Sequence, residues 1–197
     1  VICRPVALFS RKLETESEPP TPESVTMNCP VFGAFVRGLQ KDTRYKVLDL
    51  GPALPENLDF FSAYRCKLQI ADLTRSIATM EQENSLSKEA LLADLSSDDE
   101  PYDIMLFWDI FNYMSTESIR LLMDTLAPGI KSGTRLYALN ASTGNVPSYP
   151  TRYRIIGEDQ LLCQQTSNEL IPSPCHAQRV LEKQMPGFKV QGSLLLK

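Results

Sequence analysis

Three short stretches hold the residues whose types and spacing could do chemistry: Asp49-Leu50-Gly51, Asp72-Leu73 and Trp108-Asp109. A carboxylate at a strand end can accept hydrogen bonds from both hydroxyls of a ribose. Asp72 follows Asp49 by 23 positions, a spacing that suits that role in nucleoside-binding α/β folds. Gly51 lets a ligand approach the backbone of the first turn, because no Cβ stands in the way. The turn runs on as Pro52-Ala53-Leu54-Pro55, and neither G-x-G-x-x-G nor G-x-x-x-x-G-K-[ST] is present. Its two prolines remove two N–H donors, so a pyrophosphate would find few partners there. A cofactor without phosphates fits this turn better.

These residues need elements to position them. Tyr45–Gly51 is a short apolar run ending in an acid and a glycine and reads as a buried strand. Cys66–Asp72 alternates apolar and polar residues and reads as a second strand. Tyr102–Asp109 is apolar almost throughout, as expected of a central parallel strand buried on both faces. Thr134–Asn140 is a fourth strand, Tyr153–Ile156 a further one and Phe188–Leu196 the last. Helices are expected between them. Pro30 opens one, with Val31, Phe32, Phe35, Val36 and Leu39 on one face. Residues 56–64 and 85–95 form two more. Ser115 caps another, whose stripe is Ile119, Leu122, Met123 and Leu126, and Pro128-Gly129 stops it. Ala177, Val180 and Leu181 mark the last. Residues 1–29, with Pro19, Pro20 and Pro22, read as an irregular arm or tether, and residues 30–197 as one domain. Alternating strand and helix predict a doubly wound, mostly parallel α/β sheet with helices on both faces. Ligands of such sheets bind beyond the strands' carboxyl ends, at the switch point.

The set of motifs resembles the class I S-adenosylmethionine-dependent methyltransferases. Val47-Leu48-Asp49-Leu50-Gly51-Pro52 looks like their first motif, and Asp72 is similar to their ribose-binding acid. Tyr102–Trp108 with Asp109 resembles their fourth strand. Leu126–Thr134 resembles the turn into their fifth strand, and Pro186-Gly187-Phe188 the turn before their seventh. The resemblance spans residues 30–197. It implies a Rossmann-like seven-stranded sheet with one antiparallel strand, S-adenosylmethionine as cofactor, and methyl transfer to an acceptor that the sequence does not identify. It places Asp49, Gly51, Pro52, Asp72, Leu73 and Trp108 around the cofactor. Asp109 and Tyr113 are the candidate catalytic groups beside the methyl, with Asn112 in the same loop, and Tyr113 or Tyr153 could face the positive sulfur through a cation–π contact. Such a transfer is mostly positioning and needs no metal. The family's first motif usually carries two or three glycines, and this turn has Gly51 alone. That departure keeps a rival reading open: a catalytically inactive methyltransferase-fold protein that binds or scaffolds.

Composition narrows the classes. The chain has 197 residues, 43% apolar and 22% charged, enough for a sizeable core. With 20 Lys and Arg against 24 Asp and Glu, its net charge is -4 and no basic stripe is visible, so nucleic acid is not expected as a partner. No apolar run reaches the roughly 20 residues of a membrane span. His176 is the only histidine and the five cysteines are scattered, which argues against a zinc site and against a Ser-His-Asp or Cys-His set. The cysteines read as reduced thiols and the start shows no signal peptide, so a cytoplasmic protein is expected. The acidic run Asp98-Asp99-Glu100 reads as a solvated loop and not a metal site. Each candidate also has a plainer role: strand-end acid for Asp49, turn glycine for Gly51, core aromatic for Trp108, helix cap for Asp109. Whether the chain forms a homo-oligomer stays open.

Overall fold

The structure, a computed structural model, describes residues 24–95, 100–141 and 144–193. Its centre is a four-stranded parallel sheet, β2 (Arg44–Asp49), β3 (Arg65–Ile70), β4 (Tyr102–Trp108) and β5 (Ile130–Ala138), in the order β3-β2-β4-β5. Alternation along the two inner strands divides the core. Leu48, Met105 and Phe107 face one side, which is covered by α3 (Thr74–Gln82), α4 (Lys88–Asp94), α5 (Thr116–Leu126) and α6 (Gln178–Gln184). Val47, Ile104, Leu106 and Trp108 face the other, which is covered by α1 (Pro30–Val36), α2 (Pro55–Ser62) and a second sheet. All seven of these side chains are 2% exposed or less. Helix starts follow the local chemistry. Pro30 and Pro55 occupy first-turn positions of α1 and α2. Ser87 and Ser115 cap α4 and α5, accepting from the Ala90 and Ser118 amides.

The second sheet is antiparallel, β1 (Ser24–Asn28), β8 (Gln160–Gln164) and β7 (Arg152–Gly157), in the order β1-β8-β7. A third element pairs β6 (Asn145–Pro147) with β9 (Leu170–Pro172), also antiparallel. The expectation of one seven-stranded, doubly wound sheet is therefore corrected: the parallel sheet holds four strands and the remaining pairings are antiparallel. The reason lies in the connections. A parallel pair needs a crossover of roughly a dozen residues, whereas only Glu158 and Asp159 separate β7 from β8, which closes a hairpin. Two further expectations change. Residues 24–28 of the arm form β1 and pair with β8, while residues 1–23 lie outside the described residues. Residues 188–193 form no strand: Phe188 packs on the core beside α6, and residues 194–197 lie outside the described residues. Asp98 and Asp99 of the acidic run lie outside as well, while Glu100 pairs with Arg44 and Lys67.

Phe32 packs α1 onto the parallel sheet and α2. Its ring meets Trp108 and Tyr137 of the parallel sheet and Phe60 of α2, with centroids 6.3, 5.1 and 6.2 Å away. The Cys29 amide, just before α1, donates to the Asp159 carbonyl of the hairpin at 2.6 Å. Phe32→Ala should lower stability by about 3–5 kcal/mol, the range for a fully buried aromatic, as read from urea unfolding.

Candidate functional site

β2 is the first strand of the parallel sheet, and the chain adds β3 on one side of it and β4 on the other. The switch point thus lies between the carboxyl ends of β2 and β4, which carry Asp49 and Trp108. Side chains of the protein itself fill this point. The Trp108 indole N–H donates to Asp49 Oδ1 at 2.6 Å, and the Gly51 amide donates to the same oxygen at 2.8 Å. Trp108 adopts φ +50°, a left-handed conformation that is a true outlier for a bulky residue. The β4–β5 pairing shifts register between Leu106 and Trp108. Tyr153 of β7 stacks flat on the indole, with centroids 5.5 Å apart and planes 6° apart. A Cβ on Gly51 would stand 2.8 Å from the indole nitrogen. The lean backbone therefore serves an internal contact.

Asp49 is fully buried. Burial pushes its carboxyl up to about 6, against the pull of the Trp108 and Gly51 donors. Its Oδ2 has no partner among the described residues. Asp109 sits behind the neighbouring wall. Its Oδ2 accepts from the Thr151 amide at 3.1 Å and the Tyr153 hydroxyl at 3.3 Å. Burial raises this carboxyl to about 7. Asp109 Oδ1 and the Tyr113 hydroxyl are also buried without a partner among the described residues, and burial together with the Asp109 charge pushes Tyr113 up. Asn112, in the same turn, holds the Ala141 amide after β5 at 2.7 Å. Leu73 is buried in the core immediately before α3.

Beside this closed point an open cleft of about 590 Å³ runs along the start of α3 and the segment leading into β7. Of the sequence candidates only Pro52 and Asp72 line it. Asp72, at φ +48°, follows β3 and is exposed. The opposite wall is Tyr149, Pro150, Thr151 and Arg152, and Arg75 on the first turn of α3 lies over the Tyr149 ring at 4.8 Å. These residues were not singled out by sequence. Tyr149 and Pro150 end the Gly/Pro/Ser stretch 142–150 that reads as a connector, Thr151 and Arg152 fall between it and the strand expected at Tyr153–Ile156, and Arg75 carries a signal only as the third residue after a strand-end acid. Asp109 and Tyr113, the candidate catalytic pair, do not reach the cleft. Thr151 stands between, lining it with its own atoms while its amide holds Asp109.

His176 and Cys175, neighbours in sequence, are not combined in one site. His176 Nε2 lies 2.8 Å from the Met114 carbonyl. Among the described residues no cluster of three or more His, Cys, Asp or Glu could hold a metal ion, and no helix is long and apolar enough to cross a membrane. The S-adenosylmethionine fit is divided. Asp72 and Pro52 face open space as a ribose would need, while Gly51 is covered by the Trp108 indole, so these candidates do not line one common cavity. Comparison with family models, curated proteins and solved structures returns no match for this chain.

Two measurements test this geometry. Gly51→Ala forces the indole off Asp49, so it should lower stability by about 1–3 kcal/mol and red-shift the emission of the single tryptophan. The second is the pH dependence. In the folded chain Asp49 and Asp109 keep their protons up to about 6 and 7, whereas the ordinary carboxyl releases its proton near 3.8. The folded state therefore binds more protons between these values. The two groups favour folding most below pH 3.8, and that contribution is lost as pH rises through 6 and 7. Asp49→Asn, which keeps an oxygen for the indole and cannot ionise, should flatten this loss between pH 4 and 6 in urea titrations.

Proposed function

We propose that the protein is a binding protein that holds a nucleoside-bearing ligand in the Asp72 cleft and does not transfer a methyl group. One observation carries this reading: the Trp108 indole, bonded to Asp49 and stacked under Tyr153, occupies the space over Gly51. A transferred methyl must lie in line with its nucleophile. Here the position that the family resemblance would give it is packed, and Asp109 is sealed behind Thr151. The ribose end, by contrast, keeps an exposed acid on the wall of an open cleft. A cytoplasmic setting belongs to the same proposal, supported by free thiols at Cys29, Cys66, Cys163 and Cys175.

The transferase reading keeps one specific support. Asp109, raised to about 7 and hydrogen-bonded to Tyr153 with Tyr113 nearby, has the proton affinity of a general base at neutral pH. It requires the Thr151 wall and the indole to swing away together.

Calorimetric titration with adenosine, S-adenosylhomocysteine and S-adenosylmethionine separates the two. The binding reading expects adenosine to bind, the two full-length ligands to gain nothing over it, and the bound methyl donor to stay intact on incubation. Asp72→Ala should weaken adenosine by roughly 1.5–3 kcal/mol, the range for a hydrogen bond to a charged group. Tighter binding of S-adenosylmethionine with release of S-adenosylhomocysteine would restore the transferase.

A further inference from the structure

The charges lining the cleft name a ligand class. Asp72, Arg75 and Arg152 all line it, all are exposed, and none forms a hydrogen bond or ion pair with another side chain among the described residues. Arg75 lies over the Tyr149 ring, which leaves its N–H edges for other partners. In a protein of net charge -4, this one cavity therefore collects two guanidinium groups against one carboxylate. Thr74, Ser76 and Thr79 of α3 line the same wall as Arg75.

We propose that the cleft binds a nucleoside monophosphate, with Asp72 on the ribose hydroxyls and Arg75 and Arg152 on the phosphate. This rests on the nucleoside reading above and adds the phosphate to it. The guanidinium fork matches a phosphate in geometry and charge, and a dianion satisfies two such groups at once. A sulfonium ligand is opposed there, since its positive sulfur would face two fixed cations. The proline-rich turn is no objection. Pro52 and Pro55 withdraw backbone amides from a phosphate, but this phosphate is read by side chains across the cleft from one another. Arg75 and Arg152 are 77 positions apart, so no local motif could announce the pair.

The experiment is a titration of the whole chain with adenosine, guanosine, cytidine and uridine, with their 5′-monophosphates, and with inorganic phosphate. At least one monophosphate should bind about 10-fold or more tightly than its own nucleoside. Arg75→Gln and Arg152→Gln, both at exposed positions, should each remove most of that gain and leave the nucleoside's affinity unchanged. The monophosphate's affinity should also fall with added salt while the nucleoside's does not. Monophosphates no tighter than their nucleosides would overturn the phosphate assignment and leave the nucleoside reading standing. Inorganic phosphate binding as tightly as every monophosphate, with no effect of Asp72→Asn, would overturn both. So would the absence of binding by all nine compounds in a protein whose single tryptophan reports a folded core.

Discussion

A carboxylate buried at the end of the central strand is the constraint from which the site's shape follows. Asp49 lies where the two halves of the parallel sheet diverge, and nothing of it is exposed. An isolated charge in such a place is strongly disfavoured, so the group must be hydrogen-bonded, protonated, or both. The Trp108 indole and the Gly51 amide satisfy one oxygen. The other lacks a partner among the described residues, which is consistent with a carboxyl that keeps its proton to about 6. To deliver its N–H, Trp108 leaves strand geometry for the left-handed region and the neighbouring pairing shifts with it. The exposed face of the indole then needs cover, and Tyr153 supplies it. Asn57 of α2 fixes Tyr153's strand by donating to the Tyr153 carbonyl at 3.1 Å and accepting from the Ile155 amide at 2.8 Å. One buried acid thus governs a turn glycine, a backbone outlier and the docking of the second sheet.

The parallel sheet was legible because its strands are written in an unambiguous code. Apart from Asp103 near its start, Tyr102–Trp108 is apolar and can be stable only between two covered faces. The acids and glycine at the strand ends marked the switch point for the same reason: they interrupt apolar runs where a buried strand must stop. Of the antiparallel elements only β7 was legible, as the strand expected at Tyr153–Ile156. Gln160–Gln164 and Asn145–Pro147 are short, and their partners, Ser24–Asn28 and Leu170–Pro172, lie more than 20 residues away in the chain. Periodicity reports on one segment at a time and says nothing about such pairing. Helix α3 was missed for a different reason. Its buried residues are Thr74, Ile77 and Ala78, too little apolar surface to make a stripe stand out.

The site shows the same division. Position along the chain located Asp49, Gly51, Asp72 and Trp108, but it could not tell which of them face a ligand and which face each other. Gly51 illustrates the limit. A glycine after a buried strand signals that something approaches the backbone closely. Here the approaching group is an indole from the same chain, 2.8 Å from where a Cβ would stand. The glycine-poor turn follows from this. With Trp108 covering Gly51, no further bare backbone is called for at positions 52–55, and Pro52 and Pro55 shape the turn and open α2 instead.

The closed and open halves of the region are also coupled physically. Thr151 lines the cleft while its amide holds Asp109, and Arg152 begins the strand whose next residue stacks on Trp108. A ligand that grips Arg152 therefore pulls on the same strand that covers the indole. Ligand affinity drawn from this wall is linked to the packing of Tyr153 on Trp108, because both are properties of one short segment, residues 149–153. Loosening the aromatic stack would free the wall to move and so diminish what the cleft can hold in place. The inward packing of Trp108 supplies the rigid support against which residues 149–152 present Tyr149 and the Arg152 guanidinium to the cleft.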